Sequence, residues 1–189
     1  MIIMKKLILT AVILFGTIIG LQAQIYKSKK EGSLVTFFSK SPLEDITAAN
    51  KKSTFVINTS TNDVQAGITM LNFKFKSPLM EEHFNENYVE SDKYPTSVFK
   101  GKIVETIDYT KDGENKVTVK GTLNLHGVTK DVEMQGTLTK KGNEILIASE
   151  FKIKIADYNI KVPSLYVQNI AELVDVKITA TLEPFVKGK

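Results

Sequence analysis

The sequence predicts an all-β protein, a closed antiparallel barrel with one short covering helix. Three observations carry this: apolar and polar residues alternate through most of the chain after Ser33, short turn signals join the alternating runs, and one helical pattern interrupts them. Alternation with period two turns one apolar face inward. Short links join antiparallel neighbours. About nine strand candidates follow one another with no strand–helix alternation, so a closed meander is favoured over a parallel sheet, because closure removes edges that would pair with other chains.

In chain order, Lys5 and Lys6 precede an uncharged apolar run from Leu7 to Leu21. The run is shorter than the ~20 residues of a spanning helix, so it reads as a secretory signal over residues 1–23, cut after the small residue Ala23. The mature chain, residues 24–189, is then a single barrel domain in the periplasm or secreted. With no cysteine in the chain, there is no lipidated anchor, no disulfide and no thiolate chemistry, and stability must come from burial.

Strand candidates lie at Leu34–Phe38, Ile46–Asn50, Ser53–Thr59, Gln65–Lys76 and Ser97–Ile107. The clearest alternation follows, in Val117, Val119, Leu123 and Leu125 with Gly121 on the same parity, then in Val132, Met134 and Leu138. It returns in Ile145, Ile147, Phe151, Ile153 and Ile155, and finally in Val174, Val176, Ile178, Ala180 and Leu182. The links are Lys111–Asn115, His126-Gly127 and Lys140–Asn143. The helix has its own signals: Ser77 can cap it, Pro78 suits its first position, and Glu81 and Glu82 complement the dipole. Met80, Phe84 and Tyr88 recur every four residues as one apolar stripe that must lie against something apolar. A second helical turn is expected near Ser164–Asn169.

Charge narrows the function classes. Cleavage after Ala23 lowers the formal charge from +4 to +2, and all basic residues are lysine. The guanidinium fork suited to phosphates and base edges is missing, so nucleic acid is not an expected partner. No phosphate-binding loop, dinucleotide fingerprint, H-E-x-x-H or EF-hand loop is present.

Glu81-Glu82-His83 with Glu86, Glu90 and Asp92 invites a metal or acid–base reading. Zinc needs three or four ligands and only one histidine is near, so no metal is expected, and His83 is placed on a solvated helix face, bonded to the following loop. His126 ends a strand before Gly127 and has no serine in a nucleophile-elbow context. Its ring is expected to cap the turn, and no catalytic residue or cofactor is assigned. Lys74, Lys76, Lys100, Lys102, Lys152 and Lys154 read as outward residues of half-exposed strands, with a basic patch near one mouth as the alternative. In a barrel of about eight strands, core and cavity lining share the same inward positions.

Two segments carry a family resemblance. Tyr94-Pro95 with Phe99 is similar to the YP-x-x-x-F segment of the YceI-like family, and Gly121 to Val132 resembles its G-x-L-x-x-H-G-V-T-x-x-V hairpin. Leu79–Tyr88 resembles a divergent form of the helix that covers the family's barrel. Asp157–Ile160 and Ala171–Val176 sit where the family has its penultimate loop and last strand. The chain departs from the pattern at Glu31–Leu34, which lacks the family's histidine, and at Asn159, where glycine is frequent. The resemblance implies a lipocalin-like barrel, an exported location, and a polyisoprenoid or similar long-chain lipid held in the lumen, sequestered or carried. Expected lining is Phe73, Phe75, Phe99, Leu123, Leu125, Phe151 and Ile153, with Met80, Phe84 and Tyr88 as a lid. Between Gln65 and Lys76 parity is open, since Ile68 and Met70 compete with Leu71, Phe73 and Phe75. An envelope protein is a further candidate partner. The alternatives are a metal- or acid/base-dependent enzyme using His83 with Glu82 or Glu86, and a solidly packed envelope interaction module without a cavity.

Overall fold

A computed structural model describes residues 25–40, 45–161 and 172–185. The signal expected over residues 1–23 and the turn expected at Ser164–Asn169 lie outside the described residues. Among the described residues ten strands are formed: β1 (Ile25–Ser39), β2 (Ile46–Asn50), β3 (Thr54–Asn58), β4 (Asp63–Thr69), β5 (Lys74–Phe75), β6 (Thr96–Ile103), β7 (Gly113–Leu125), β8 (Val128–Lys141), β9 (Glu144–Lys154) and β10 (Leu173–Pro184). Eight of them close a ring in the order β1-β3-β4-β6-β7-β8-β9-β10, with β10 paired back on β1 and every pairing antiparallel. The expected barrel is formed, although not as a simple meander.

The departure is on the β1 side. The first residues of β1, Ile25 to Lys27, pair with β3, whereas Val35 to Ser39 pair with β2, which in turn pairs with β5. The ribbon β2–β5 therefore continues the wall where β3 stops. Asn50 is fully buried there, its side-chain amide donating to Thr69 O at 3.0 Å. Strand β1 itself is interrupted by an irregularity between Ser28 and Ser33, with Glu31 at φ 61°. Such an insertion bends a strand and changes its side-chain parity.

The expected strand Gln65–Lys76 is corrected: it breaks into β4, a 3-10 turn at Met70–Asn72, and the two-residue β5. The amide of Met70 donates to Pro95 O (2.9 Å) and that of Phe73 to Met70 O (3.1 Å). The turn resets the alternation, so Ile68 and Met70 face inward before it, Phe73 and Phe75 after it, and Leu71 is left exposed.

Helix α1 (Pro78–His83) runs into a π turn over Phe84–Tyr88, closed by Val89 N–H to Phe84 O at 2.9 Å. Pro78 holds the first turn as expected, but Ser77 makes no side-chain cap. Glu81 is engaged instead with Lys74 (2.5 Å). The β7–β8 link is a two-residue turn with His126 at φ 51° and Gly127 at φ 74°, the doubly positive geometry of a tight hairpin. Asn159 is also left-handed at φ 56°, so it adopts the conformation a glycine would take there.

The registers divide the interior in two. At one end Ile57, Leu138, Ile145 and Leu182 are at most 1% exposed and seal the barrel. Toward the helix, inward residues such as Phe37, Leu125, Phe151 and Ile178 are only half-buried.

Candidate ligand cavity

The half-buried inward residues are half-buried because they face a hollow. A cavity of about 500 Å³ fills the helix half of the barrel, within the ~300–1,000 Å³ range of small-molecule sites. Its described wall is almost wholly apolar. No lysine, aspartate or glutamate lines it, and the polar contributors are few, among them Ser39, Ser97, Thr137 and His83. The reading as a solid barrel without a cavity is overturned by this hollow: an eight-stranded barrel is either filled by side chains or left room for one small ligand, and here the inward side chains leave about 500 Å³.

All ten sequence-predicted lining and lid residues stand on the cavity wall: Phe73, Phe75, Met80, Phe84, Tyr88, Phe99, Leu123, Leu125, Phe151 and Ile153. Phe37 was missed, and it is central. Its ring stacks on Phe84 (centroids 5.4 Å, 26° between planes) and meets Phe73 and Phe75 edge-on at 5.4 and 5.7 Å. Phe84 also touches Phe73 and Phe75 at 5.6 and 5.0 Å. The register explains the cluster. Ala48 of β2 lies between Phe37 and Phe75, and its small side chain lets both rings lean together, each pair adding about 0.5–1.5 kcal/mol beyond area burial. This knot fixes the covering helix to the rim.

The candidate polar cluster does not assemble. His83 faces the cavity rather than solvent, which corrects its expected place, while Glu82 and Glu86 are exposed. Among the described residues no group of three or more His, Cys, Asp or Glu is placed to hold a metal ion. Of the six lysines that suggested a patch, Lys74, Lys102 and Lys152 are ion-paired with Glu81, Asp63 and Asp175. The Glu81 carboxyl is held below its usual range, chiefly by the Lys74 ammonium.

His126 does more than cap its turn. Its side chain is 7% exposed, Nδ1–H donates to Tyr158 O at 3.0 Å, and Nε2 lies 2.7 Å from Glu90 Oε2. Tyr94 packs edge-on at 4.5 Å between centroids. One ring thus ties the β7–β8 hairpin to the loop after the helix and to the chain after β9. His126→Ala is expected to cost about 2–3 kcal/mol in urea unfolding, since the buried ring's bonds to the Tyr158 carbonyl and to Glu90 are lost together. A change below about 0.5 kcal/mol, the size of an ordinary surface substitution, would show that the tie carries no weight.

An eight-stranded antiparallel ring, sealed at one end, roofed by a helix at the other and hollow between them, defines the chain as a lipocalin-like barrel. The model of the YceI-like domain matches residues 26–182, and the chain belongs to this family. Among solved structures, it is similar to a polyisoprenoid binding domain from Saccharophagus degradans implicated in plant cell wall breakdown, at 18% identity and a TM-score of 0.73, covering 85% of this chain and 98% of that one. It is also similar to Burkholderia cenocepacia BcnA (18% identity, TM-score 0.69, 82% and 98% covered) and to a Campylobacter jejuni YceI protein (15%, 0.55, 75% and 88%). At these identities the likeness speaks to the fold. Comparison with curated proteins gives no match.

Proposed function

We propose that this protein is a binding protein, not an enzyme, that sequesters or carries a polyisoprenoid or similar long-chain lipid in its lumen, in the periplasm or secreted after its signal is removed. The observation that carries the reading is a 500 Å³ lumen with no carboxylate or ammonium on its described wall. Such a wall rewards removal of a tail from water and offers little to a charged or strongly polar substrate. The polyisoprenoid binding domain with the same fold supports the choice of ligand class.

The energetics are adequate. A fifteen-carbon isoprenoid gains about 12 kcal/mol on full burial at ~0.8 kcal/mol per carbon, and association takes back at least ~4 kcal/mol. At most ~8 kcal/mol remains, which corresponds to a dissociation constant of about 1 μM or weaker.

Farnesol is therefore expected to bind with one-to-one stoichiometry in the micromolar range, measured by calorimetry. Mass spectrometry of the protein recovered natively from its host should find Gln24 as the first residue and an isoprenoid-type lipid in the organic extract. An intact Met1 would refute export with cleavage. An extract without lipid, together with no heat from farnesol up to millimolar concentration, would refute the carrier.

A further inference from the structure

Strands β8 and β9 separate halfway up the barrel. Their ladder runs from Lys141–Glu144 to Gly136–Ser149 and has no pair above that point. Both strands nevertheless continue, β8 paired with β7 down to Val128 and β9 paired with β10 up to Lys154. Projected upward, the register would set Met134 against Phe151 and Val132 against Ile153, and these pairs are not made. Two strand edges thus face each other without a ladder between them. Such edges persist where water or another molecule meets their backbone groups.

The lumen reaches this seam. Gln135 and Ala148 are exposed residues beside the fork, on the opposite parity from the inward residues of their strands, yet both belong to the cavity wall, with Gly136 and Ser149. The hollow therefore reaches the fork, and the unpaired edges above it adjoin the lumen. Described residues frame the seam below, above and on both flanks. Below, Ser149 Oγ donates to Gln135 O at 2.7 Å and pins the fork. Above, the chain that follows β9 crosses to the β7–β8 hairpin, where Tyr158 O accepts from His126, and Ile155 and Ile160 join the wall. The flanks are apolar: Met134 on one side, Phe151 and Ile153 on the other, all in the wall.

The geometry points to this window as the passage through which a lipid tail enters and leaves the lumen, an inference that rests on the carrier reading. Among the described residues, Ile57, Leu138, Ile145 and Leu182 seal one end, and Met80, Phe84 and Tyr88 roof the other. Capacity adds a consequence. At ~30 Å³ per water-sized group, about 17 such groups fill the 500 Å³ lumen. A fifteen-carbon tail fits inside, and the excess of a longer one emerges between β8 and β9.

The chain has no cysteine, so a strap across the window can be placed uniquely. Glu133 and Lys152 are exposed on the two flanks. The double variant Glu133→Cys/Lys152→Cys is folded first, then bridged with bismaleimidohexane or, as control, capped at both cysteines with N-ethylmaleimide. Stopped-flow fluorescence follows uptake and release of retinol. Bridging is expected to slow both rates about tenfold relative to the capped form, as closing a gate does, leaving the equilibrium affinity unchanged. Equal rates in the bridged and capped forms would overturn the window while leaving the carrier intact. If neither the capped form nor the unaltered protein takes up retinol, the carrier reading falls and the window falls with it.

Discussion

Gly121→Ala is expected to destabilise the protein by about 3 kcal/mol, lowering the melting temperature by roughly 6–12 °C for a domain of this size. Gly121 of β7 pairs with Gly101 of β6, where the two backbones come together. A Cβ built on Gly121 falls well under 3.0 Å from Lys100 O and Gly101 Cα, and one built on Gly101 would meet the Phe99 ring. The obstacles at Gly121 are backbone atoms, and relieving the clash requires parting a ladder that holds the cavity wall. Gly67 is the matched control: it lies in β4 with nothing within 4 Å of its built Cβ. Gly67→Ala should change stability by less than about 0.5 kcal/mol. Thermal unfolding followed by circular dichroism separates the cases, and similar melting temperatures for both variants would refute the close-approach argument.

That pairing was only half legible beforehand. Gly121 shares the parity of Val119 and Leu123, which marks it as inward, but a sequence does not say that another glycine lies across from it. The same boundary runs through the whole fold. Strands β7, β9 and β10 were readable because each has one face to the lumen and one to water for its full length, and alternation records that contrast. Strand β1 was readable only from Leu34 onward. Tyr26 and Val35 are both buried, yet they differ in parity because the irregularity around Glu31 lies between them. The strand over Gln65–Lys76 misled for the same reason, since one 3-10 turn exchanges the inward set.

The predicted lining stands on the cavity wall because a barrel leaves an apolar inward side chain nowhere else to go. Phe37 was missed because its importance comes from tertiary register: it gains partners only when β2 and β5 are laid beside β1. His83 was misplaced because the polar residues around it suggested a wholly solvated face, whereas three-residue spacing from Met80 carries it back to the lumen side. The β8–β9 seam leaves no trace in the pattern at all. Each flank stays paired to its other neighbour, so only the ladder reveals where pairing stops.

Whether inward residues fill a barrel or merely line it is likewise a question of radius that alternation cannot answer, and one pair of substitutions reads it directly. Val119→Trp adds a large ring to a half-buried wall position, and the ring has the hollow to occupy. It is expected to weaken farnesol binding about 100-fold, roughly 2.8 kcal/mol. Stability should stay within about 1 kcal/mol, below the ~1–3 kcal/mol that overpacking costs a filled core. Ile145→Trp places the same ring at the sealed end, where the native side chain is 0% exposed. There the full overpacking penalty of about 3 kcal/mol is expected. The chain has no tryptophan of its own, so the emission of each variant reports its new ring, and ligand should quench Val119→Trp only as far as the crowded lumen still admits it. Were Val119→Trp to bind farnesol as tightly as the unaltered protein, the ligand would lie outside the barrel. Were it as unstable as Ile145→Trp, the helix half would be packed like the sealed end, with no space to hold a tail.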